Sequence, residues 1–245
     1  MIRSMQWTKN ALMVAGILTA GAMESRANLI TLRSGNGAVG STDSDITFLD
    51  GPGSSDFAAL TPTDFANAQI GPHAFIISPA YWIPTLPSDS LAQWIATSPG
   101  AATQCSDTGL FAIHFYVNGP ISSLTIDLHY AVDNVLGSNV NEGVFLNGTA
   151  LSGDTTGGSF STEYDITRTD LAPLAVVGLN TIYIDAVNQG GPAGLIFSAA
   201  ISGEGISSSL APAAAAVPEP ATLVSLTIAG LMSAGYAYRR RYRRV

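Results

Sequence analysis

The middle of the chain alternates between apolar and polar positions with a period of two. From Ser123 to Val132, leucine, isoleucine, tyrosine and valine occupy every second position, and threonine, aspartate, histidine and alanine lie between them. Side chains of a β-strand point alternately to its two faces, so this segment is predicted to be a strand with one buried face. Leu110–Val117 is apolar at nearly every position and is predicted to be a central strand.

Further short apolar segments predict more strands of the same sheet system. They are Ile46–Leu49, Ala74–Ser78, Val144–Leu146, Phe160–Ile166, Thr181–Val187 and Leu195–Ser202. Turn signals such as Asn147-Gly148 and Gly190-Gly191-Pro192 separate them, and no stretch keeps a helical period. Gly51–Gly71 is predicted to be loops. Evenly spaced strands with glycine turns predict an all-β domain over residues 28–203, a jelly-roll β-sandwich.

The first residues have the layout of a secretory signal peptide. Met1–Lys9 carries two cations and no acid, and Ala11–Met23 is an apolar run of 13 residues, too short to span a bilayer comfortably. Ser25-Arg26-Ala27 places small residues three and one positions before a cut after Ala27. We therefore expect residues 1–27 to form a signal helix that is removed on export.

The last residues predict a single transmembrane helix. Residues 204–216 are rich in serine, alanine and proline and are predicted to be a linker. Thr222–Tyr238 is uncharged over 17 residues, a helix of roughly 25 Å, just short of a typical hydrocarbon layer. The cations that follow should stay cytoplasmic by the positive-inside rule. They are Arg239, Arg240, Arg241, Arg243 and Arg244.

Pro218, Glu219 and Pro220 stand immediately before this helix. The order Pro-Glu-Pro, transmembrane helix and arginine cluster over residues 217–245 resembles the PEP-CTERM sorting signal of exported bacterial proteins. The resemblance implies that an exosortase, a membrane transpeptidase, cuts near the motif after transient membrane anchoring, and that the protein reaches the cell surface or the medium. The alternative is a permanently anchored periplasmic protein, which the same residues fit.

A second resemblance covers roughly Tyr81 to Gly203. Its pieces follow one another in order: Gln93-Trp94-Ile95, Phe111–Val117, Leu124–Leu128, Asp133-Asn134, Val144–Gly148, Leu179–Ile182 and Asn188–Leu195. Together they look like the galactose-binding-domain-like jelly roll of many exported proteins and carbohydrate-binding modules. The resemblance implies a fold and not a ligand.

Charge is scarce and one-sided in the exported part. Only 11% of the chain is charged, and between Asn28 and Val217 two cations, Arg33 and Arg168, stand against sixteen acids, a net charge of −14. Such a surface repels phosphates, so nucleic acid is not expected as a partner.

The chemistry-bearing residues predict no catalytic site. Cys105 is alone, so no intrachain disulfide can form, and His73, His114 and His129 lack a zinc-ligand spacing. His129 is expected to hydrogen-bond beside Asp127. No nucleophile elbow or phosphate loop is present, and no cofactor is expected except a structural Ca²⁺. The oxygen-rich loops that could hold it contain Asp43, Asp45 and Asp50, and the same carboxylates also fit a solvated acidic surface.

Aromatic side chains are the usual platform for sugars. Tyr81, Trp82 and Trp94 cluster in the sequence and are candidate glycan contacts, although Trp94 also fits a core position. The sequence thus predicts an exported, non-enzymatic protein with a structural or adhesive role in an exopolysaccharide matrix and weak carbohydrate binding. A carbohydrate-active hydrolase on the same sandwich is the alternative, because sixteen acids offer many carboxylate pairs.

Overall fold

The computed structural model describes residues 27–104, 106–151 and 157–209. The predicted signal helix, Cys105, the linker beyond Ser209, the Pro-Glu-Pro motif, the predicted transmembrane helix and the arginine cluster lie outside the described residues. Within the described ranges, no helix has the length and apolarity needed to cross a bilayer. Ala27, the predicted cleavage residue, begins the first strand.

The described residues form a mostly β structure with one α-helix and a short 3₁₀ turn. The strands are β1 (Ala27–Arg33), β2 (Thr42–Asp50), β3 (His73–Ile76), β4 (Ile95–Ala96), β5 (Gly109–Val117), β6 (Leu124–Asp133), β7 (Val135–Leu136), β8 (Val144–Leu146), β9 (Thr149–Ala150), β10 (Tyr164–Arg168), β11 (Gly178–Val187), β12 (Gly194–Glu204) and β13 (Ile206–Ser207). Helix α1 spans Pro62–Ile70, and the 3₁₀ turn spans Ala172–Leu174.

All strands belong to one 13-stranded sheet, whose main path runs β10-β6-β12-β4-β3-β2-β5-β11-β8-β9. Off this path, β1 pairs with β12, β13 with β5 and β7 with β11, and every pairing is antiparallel. Inward side chains from both halves of the path meet in one core cluster. The sheet therefore curls into a β-sandwich, with β12 central in one layer and β5 central in the other.

The apolar pattern of β5 explains its central position. Phe111, Ile113 and Phe115 point inward and pack in the main core, while Leu110 and Ala112 point outward and pack against α1. On β12, Phe197 is fully buried and faces the same main core. Burial of such side chains contributes roughly 1.5–3 kcal/mol each, so the two central strands hold the layers together.

The predicted sandwich strands are largely confirmed. Six predicted segments lie within or match β2, β5, β6, β8, β11 and β12, apart from end residues, and Ala74–Ser78 overlaps β3. Phe160–Ile166 is confirmed only from Tyr164, where β10 begins. The predicted linker starts too early, because β12 runs to Glu204 and Gly205, at φ 63°, turns the chain into β13.

The prediction of loops over Gly51–Gly71 is wrong at α1. Thr61 caps this helix in a capping box with Asp64, and Pro62 occupies the first helical turn. Only Phe65 and Ala68 of its nine residues are buried, so the apolar stripe is too narrow to show a helical period. The capping box is the sequence signal that identifies it.

The loop between β1 and β2 is fastened by Asp43, a fully buried carboxylate. One carboxylate oxygen accepts hydrogen bonds from the backbone N–H groups of Gly35 (2.6 Å) and Asn36 (3.1 Å). The other accepts from the N–H groups of Asp45 (2.8 Å) and Ile46 (3.2 Å). Four backbone donors therefore depend on one side chain.

We expect the substitution Thr61→Ala to lower the free energy of unfolding by about 1 kcal/mol, because it removes the capping hydroxyl of α1. The exchange Thr63→Ala, at an exposed position of the same first turn, should change it by less than about 0.5 kcal/mol. Urea unfolding followed by tryptophan fluorescence measures both. Equal losses in the two variants would contradict the capping role.

We expect Asp43→Asn to cost about 2–3 kcal/mol of unfolding free energy, because an amide keeps one acceptor oxygen and leaves buried N–H groups without a partner. Asp45→Asn is the matched control. Its side chain is exposed and, among the described residues, is hydrogen-bonded to Asn36 and Ser44, so a change below about 0.5 kcal/mol is expected. Urea titration measures the unfolding free energy of both variants. An Asp43→Asn variant as stable as the wild type would show that the loop does not depend on the Asp43 carboxylate.

Candidate functional site

A cleft of about 820 Å³ runs along the open edge between β1 of one layer and β2 and β5 of the other. On this edge of β5, the pairing with β2 ends at Ile113 and the pairing with β13 begins at Tyr116. The edge between these two residues has no strand partner, and the cleft opens there. Leu32 and Ile113 line it with apolar surface. Its hydrogen-bonding walls include Arg33, Asn36, Asp45, His73, His114 and Tyr116.

A hydrogen-bonded network supports the cleft from the outer face of β5 and β11. His114 Nδ1 lies 2.9 Å from Thr181 Oγ1, and Gln69 of α1 donates to that oxygen (3.1 Å) and to the Tyr183 hydroxyl. Burial lowers the pKa of His114, so its ring is uncharged at neutral pH. The network orients a neutral imidazole at the cleft.

Charges in the cleft are few and paired. Arg33 Nε lies 2.8 Å from Asp89 Oδ2, which also accepts from Ser198 Oγ at 2.8 Å. Burial alone would raise the pKa of Asp89, but the hydrogen bonds from Ser198 and Arg33 outweigh it and lower that pKa. Among the described residues, Asp45 is the one carboxylate lining the cleft, and it accepts from Asn36 Nδ2 at 2.6 Å. The cleft therefore presents mainly neutral donors and acceptors.

The three aspartates predicted as calcium ligands do not come together. Asp43 and Asp50 lie at opposite ends of β2, roughly 23 Å apart for seven residues of strand. Asp43 is occupied by its four backbone donors, and Asp45 lies on the cleft rim. Partial desolvation and the neighbouring Asp107 carboxylate raise the pKa of Asp50. Within the described part of the chain, no cluster of three or more His, Cys, Asp or Glu is arranged to hold a metal ion.

The predicted aromatic cluster is real but lies outside the cleft. Trp94 is buried in a second apolar cluster, and its Nε1 donates to the Ile83 carbonyl at 2.7 Å. Trp82 is half-buried against it, with ring centroids 4.5 Å apart, and lies 6.4 Å from the Phe160 ring. Tyr81 is 92% exposed. Trp94 thus supports the core, and the remaining rings form a separate surface patch.

His129 is hydrogen-bonded, as the sequence predicts, but its partner is Glu163 and not the neighbouring Asp127. Its Nδ1 lies 2.8 Å from Glu163 Oε1, whereas Asp127 Oδ2 is 3.7 Å from Nε2. Burial would raise the pKa of Glu163, but hydrogen bonds from Ser88 and His129 lower it. This pair ties β6 to the segment before β10 and lies outside the cleft lining, with Ser198 of β12 between His129 and Arg33 in the strand register.

Sequence reasoning missed the cleft itself. Asn36, His73 and His114 come from three segments that are brought together only by pairing among β2, β3 and β5. No local motif marks them. The available signal was weak: His114 and Tyr116 interrupt the outer face of an otherwise apolar strand.

No protein-family model matches this chain, and no curated protein sequence does. Its structural neighbours include the CBM35 of Paenibacillus barcinonensis, at 15% identity and a TM-score of 0.32, over 69% of this chain and 97% of that chain. A family 35 carbohydrate binding module from an environmental isolate matches at 13% identity and a TM-score of 0.31, over 70% and 98%. The enzymatically active domain of bacteriophage CBA120 tailspike protein 4 matches at 12% identity and a TM-score of 0.19, over 70% of this chain and 20% of that chain. Similarities of this size carry no ligand over to this chain.

Proposed function

We propose that the domain binds carbohydrate in the cleft between β1, β2 and β5, without catalysing its cleavage. The observation that carries this proposal is the composition of the cleft wall. Planar or hydroxyl-bearing side chains such as Asn36, His114 and Tyr116 offer both donors and acceptors, and the Arg33 charge is already paired with Asp89. A neutral polyol needs this combination, because each hydroxyl both donates and accepts.

The aromatic rings of the cleft add an apolar contact. Tyr116 lies half-buried on β5, on the same face as His114, and His73 enters from β3. The C–H face of a sugar ring can pack on such side chains while its hydroxyls bond to the walls. These features favour a sugar over a charged ligand or a purely apolar one.

The cleft does not favour the hydrolase alternative. Glycoside hydrolysis commonly uses two carboxyl groups flanking the scissile bond, about 5 Å apart in retaining enzymes and about 6.5–9.5 Å apart in inverting ones. Of the described residues, the cleft contributes a single carboxylate, Asp45. A binding role without bond cleavage therefore accounts best for the groups present.

We further propose that this domain is exported and processed. The basis is the sequence alone: the signal-peptide layout of residues 1–27 and the Pro218-Glu219-Pro220 motif with its apolar segment and arginine cluster. An exosortase-like transpeptidase would release the protein to the surface or matrix, where exopolysaccharide is the partner. The role is structural or adhesive, with weak binding summed over many copies.

The cleft variant Tyr116→Ala should weaken retention in affinity electrophoresis through polysaccharide gels by at least about fivefold, because it removes the ring that packs on the sugar. The probes are bacterial exopolysaccharides and plant polysaccharides cast separately. Asn36→Ala should act in the same direction.

The matched control is Tyr164→Ala on β10, where the tyrosine is 41% exposed and stacks on Tyr130 outside the cleft. It should bind as the wild type does. If Tyr81→Ala or Trp82→Ala abolishes retention while Tyr116→Ala does not, the separate aromatic patch is the binding site and the cleft assignment is wrong. Failure of the wild type to be retained by any polysaccharide refutes carbohydrate binding.

Intact-mass measurement of protein recovered from the culture medium tests the export proposal. We expect a mass lacking residues 1–27 and lacking Arg239–Arg244, because both terminal segments are removed. Full-length protein found only in the cell envelope, with the arginine cluster retained, would contradict sorting and favour the permanent anchor.

A further inference from the structure

Two carboxylates at the edge of the layer that contains β11 have buried oxygen atoms without a hydrogen-bond donor. Asp185 is fully buried on β11, and neither of its carboxylate oxygens has a hydrogen-bond partner. Asp56 Oδ1 is likewise buried and unpartnered. An unpaired buried carboxylate costs several kcal/mol, so three such oxygens at one place need an explanation.

Two loops hold these carboxylates in position. Asp56 Oδ2 accepts from Ser138 Oγ and from Asn141 Nδ2 (3.0 Å). Asn141 also bonds to the Asp56–Leu60 segment, accepting from Leu60 N at 2.9 Å and donating to the carbonyls of Phe57 and Ala58 at 3.2 Å. The segments 56–60 and 138–141 are therefore fastened to each other.

The second loop is also fixed to β11 around Asp185. Gly137 N donates to the Asp185 carbonyl and Asp185 N donates to the Gly143 carbonyl, both at 2.9 Å. Asp185 lies opposite Leu110 across the β5–β11 pairing, and Leu110 is fully buried. The loops therefore hold Asp56 beside Asp185, and three of the four carboxylate oxygens are buried without a hydrogen-bond donor.

Within the described residues, no arginine or lysine side chain lies in the layer that holds this pair. Burial, together with the neighbouring Asp56 carboxylate, raises the pKa of Asp185 to about 9. Arg33 and Arg168 are the only arginine or lysine residues between Asn28 and Tyr238. They lie on β1 and β10, in the other layer of the sandwich. A cation from solution or a shared proton must balance the charge.

We propose that a hard divalent cation, Ca²⁺, binds between Asp56 and Asp185 and pins the loops 56–60 and 137–143 to β11. Carboxylate oxygens are its preferred ligands, and it accepts six to eight oxygens in flexible geometry, so carbonyl oxygens and water can complete the shell. Magnesium fits less well, because it demands near-ideal octahedral geometry and shorter bonds. This site is distinct from Asp43, Asp45 and Asp50.

The test uses the full chain, stripped with EGTA and then titrated with CaCl₂. Equilibrium dialysis with ⁴⁵Ca should show calcium bound to the wild type, and at about 100 times Kd the unfolding midpoint should rise by about 5–10 °C. Asp185→Asn should lose both the bound ion and the rise. The control Asp127→Asn, a partly exposed carboxylate on β6, should keep both.

The order of stabilities gives a second, sharper measurement. In EGTA, Asp185→Asn should be at least as stable as the wild type, because the amide is neutral at every pH and can donate a hydrogen bond to the Asp56 carboxylate. In calcium the wild type should be the more stable protein. If Asp185→Asn does not fold, Asp56→Asn serves with the same expected outcomes.

Three outcomes would overturn the site. The first is a wild type that binds no calcium at about 1 mM free ion, a concentration on the order of the Kd of the weakest extracellular calcium modules. The second is an Asp185→Asn variant that is more stable than the wild type in calcium as well as in EGTA, which is the behaviour of two carboxyl groups sharing a proton. The third is retention of the bound ion by both Asp185→Asn and Asp56→Asn, which would place the ion elsewhere.

Discussion

The need to satisfy buried polar groups with almost no cations shapes this domain. Asp43 is buried on four backbone N–H groups, and Asn180, also fully buried, accepts from Val176 N and donates to Val176 O. Hydrogen bonds from uncharged donors replace the ion pairs that a domain with more arginine and lysine could use. The scarcity of cations also leaves the cleft lined mainly by neutral groups. It leaves Asp185 buried beside the Asp56 carboxyl group with no arginine or lysine near it among the described residues.

The fold was predictable where burial imposes a long periodic pattern. β6 and β12 carry ten and eleven residues whose alternation or continuous apolarity marks a half-buried or central strand. β4, β7, β9 and β13 have two residues each, too few to show any period, and they form only because longer strands already present an edge. β1 was missed for a different reason, since Leu32 is the one buried residue of its seven and no buried apolar face marks the strand.

The candidate sites were less predictable, because they depend on contacts between distant segments. Local clustering in the sequence marked Tyr81, Trp82 and Trp94 as candidate glycan contacts, with a core position as the other interpretation of Trp94, and the structure places Trp94 in the core. By contrast, Asp56 and Asp185 are 129 positions apart in the sequence, and only the pairing of β5 with β11 and the loop after β7 brings them together. The chain has eighteen acidic residues, and nothing in the local sequence of a single aspartate distinguishes a buried pair from a solvated surface.

The two ends of the sandwich have different roles in this arrangement. Ala27 pairs with Glu204, so the chain enters and leaves the described strands at one end. Gly178, which pairs with Val117 beside β13, lies at that same end, and Asp185 is seven residues further along β11, roughly 23 Å away.

The proposed export segments thus attach at one end, and the proposed calcium site stiffens loops near the other. Two carboxylates provide modest affinity, of the order of 10⁻⁴–10⁻³ M found in extracellular calcium modules. If the domain is exported as proposed, such a site would fill outside the cell, where calcium is abundant, and the loops near it would become rigid there.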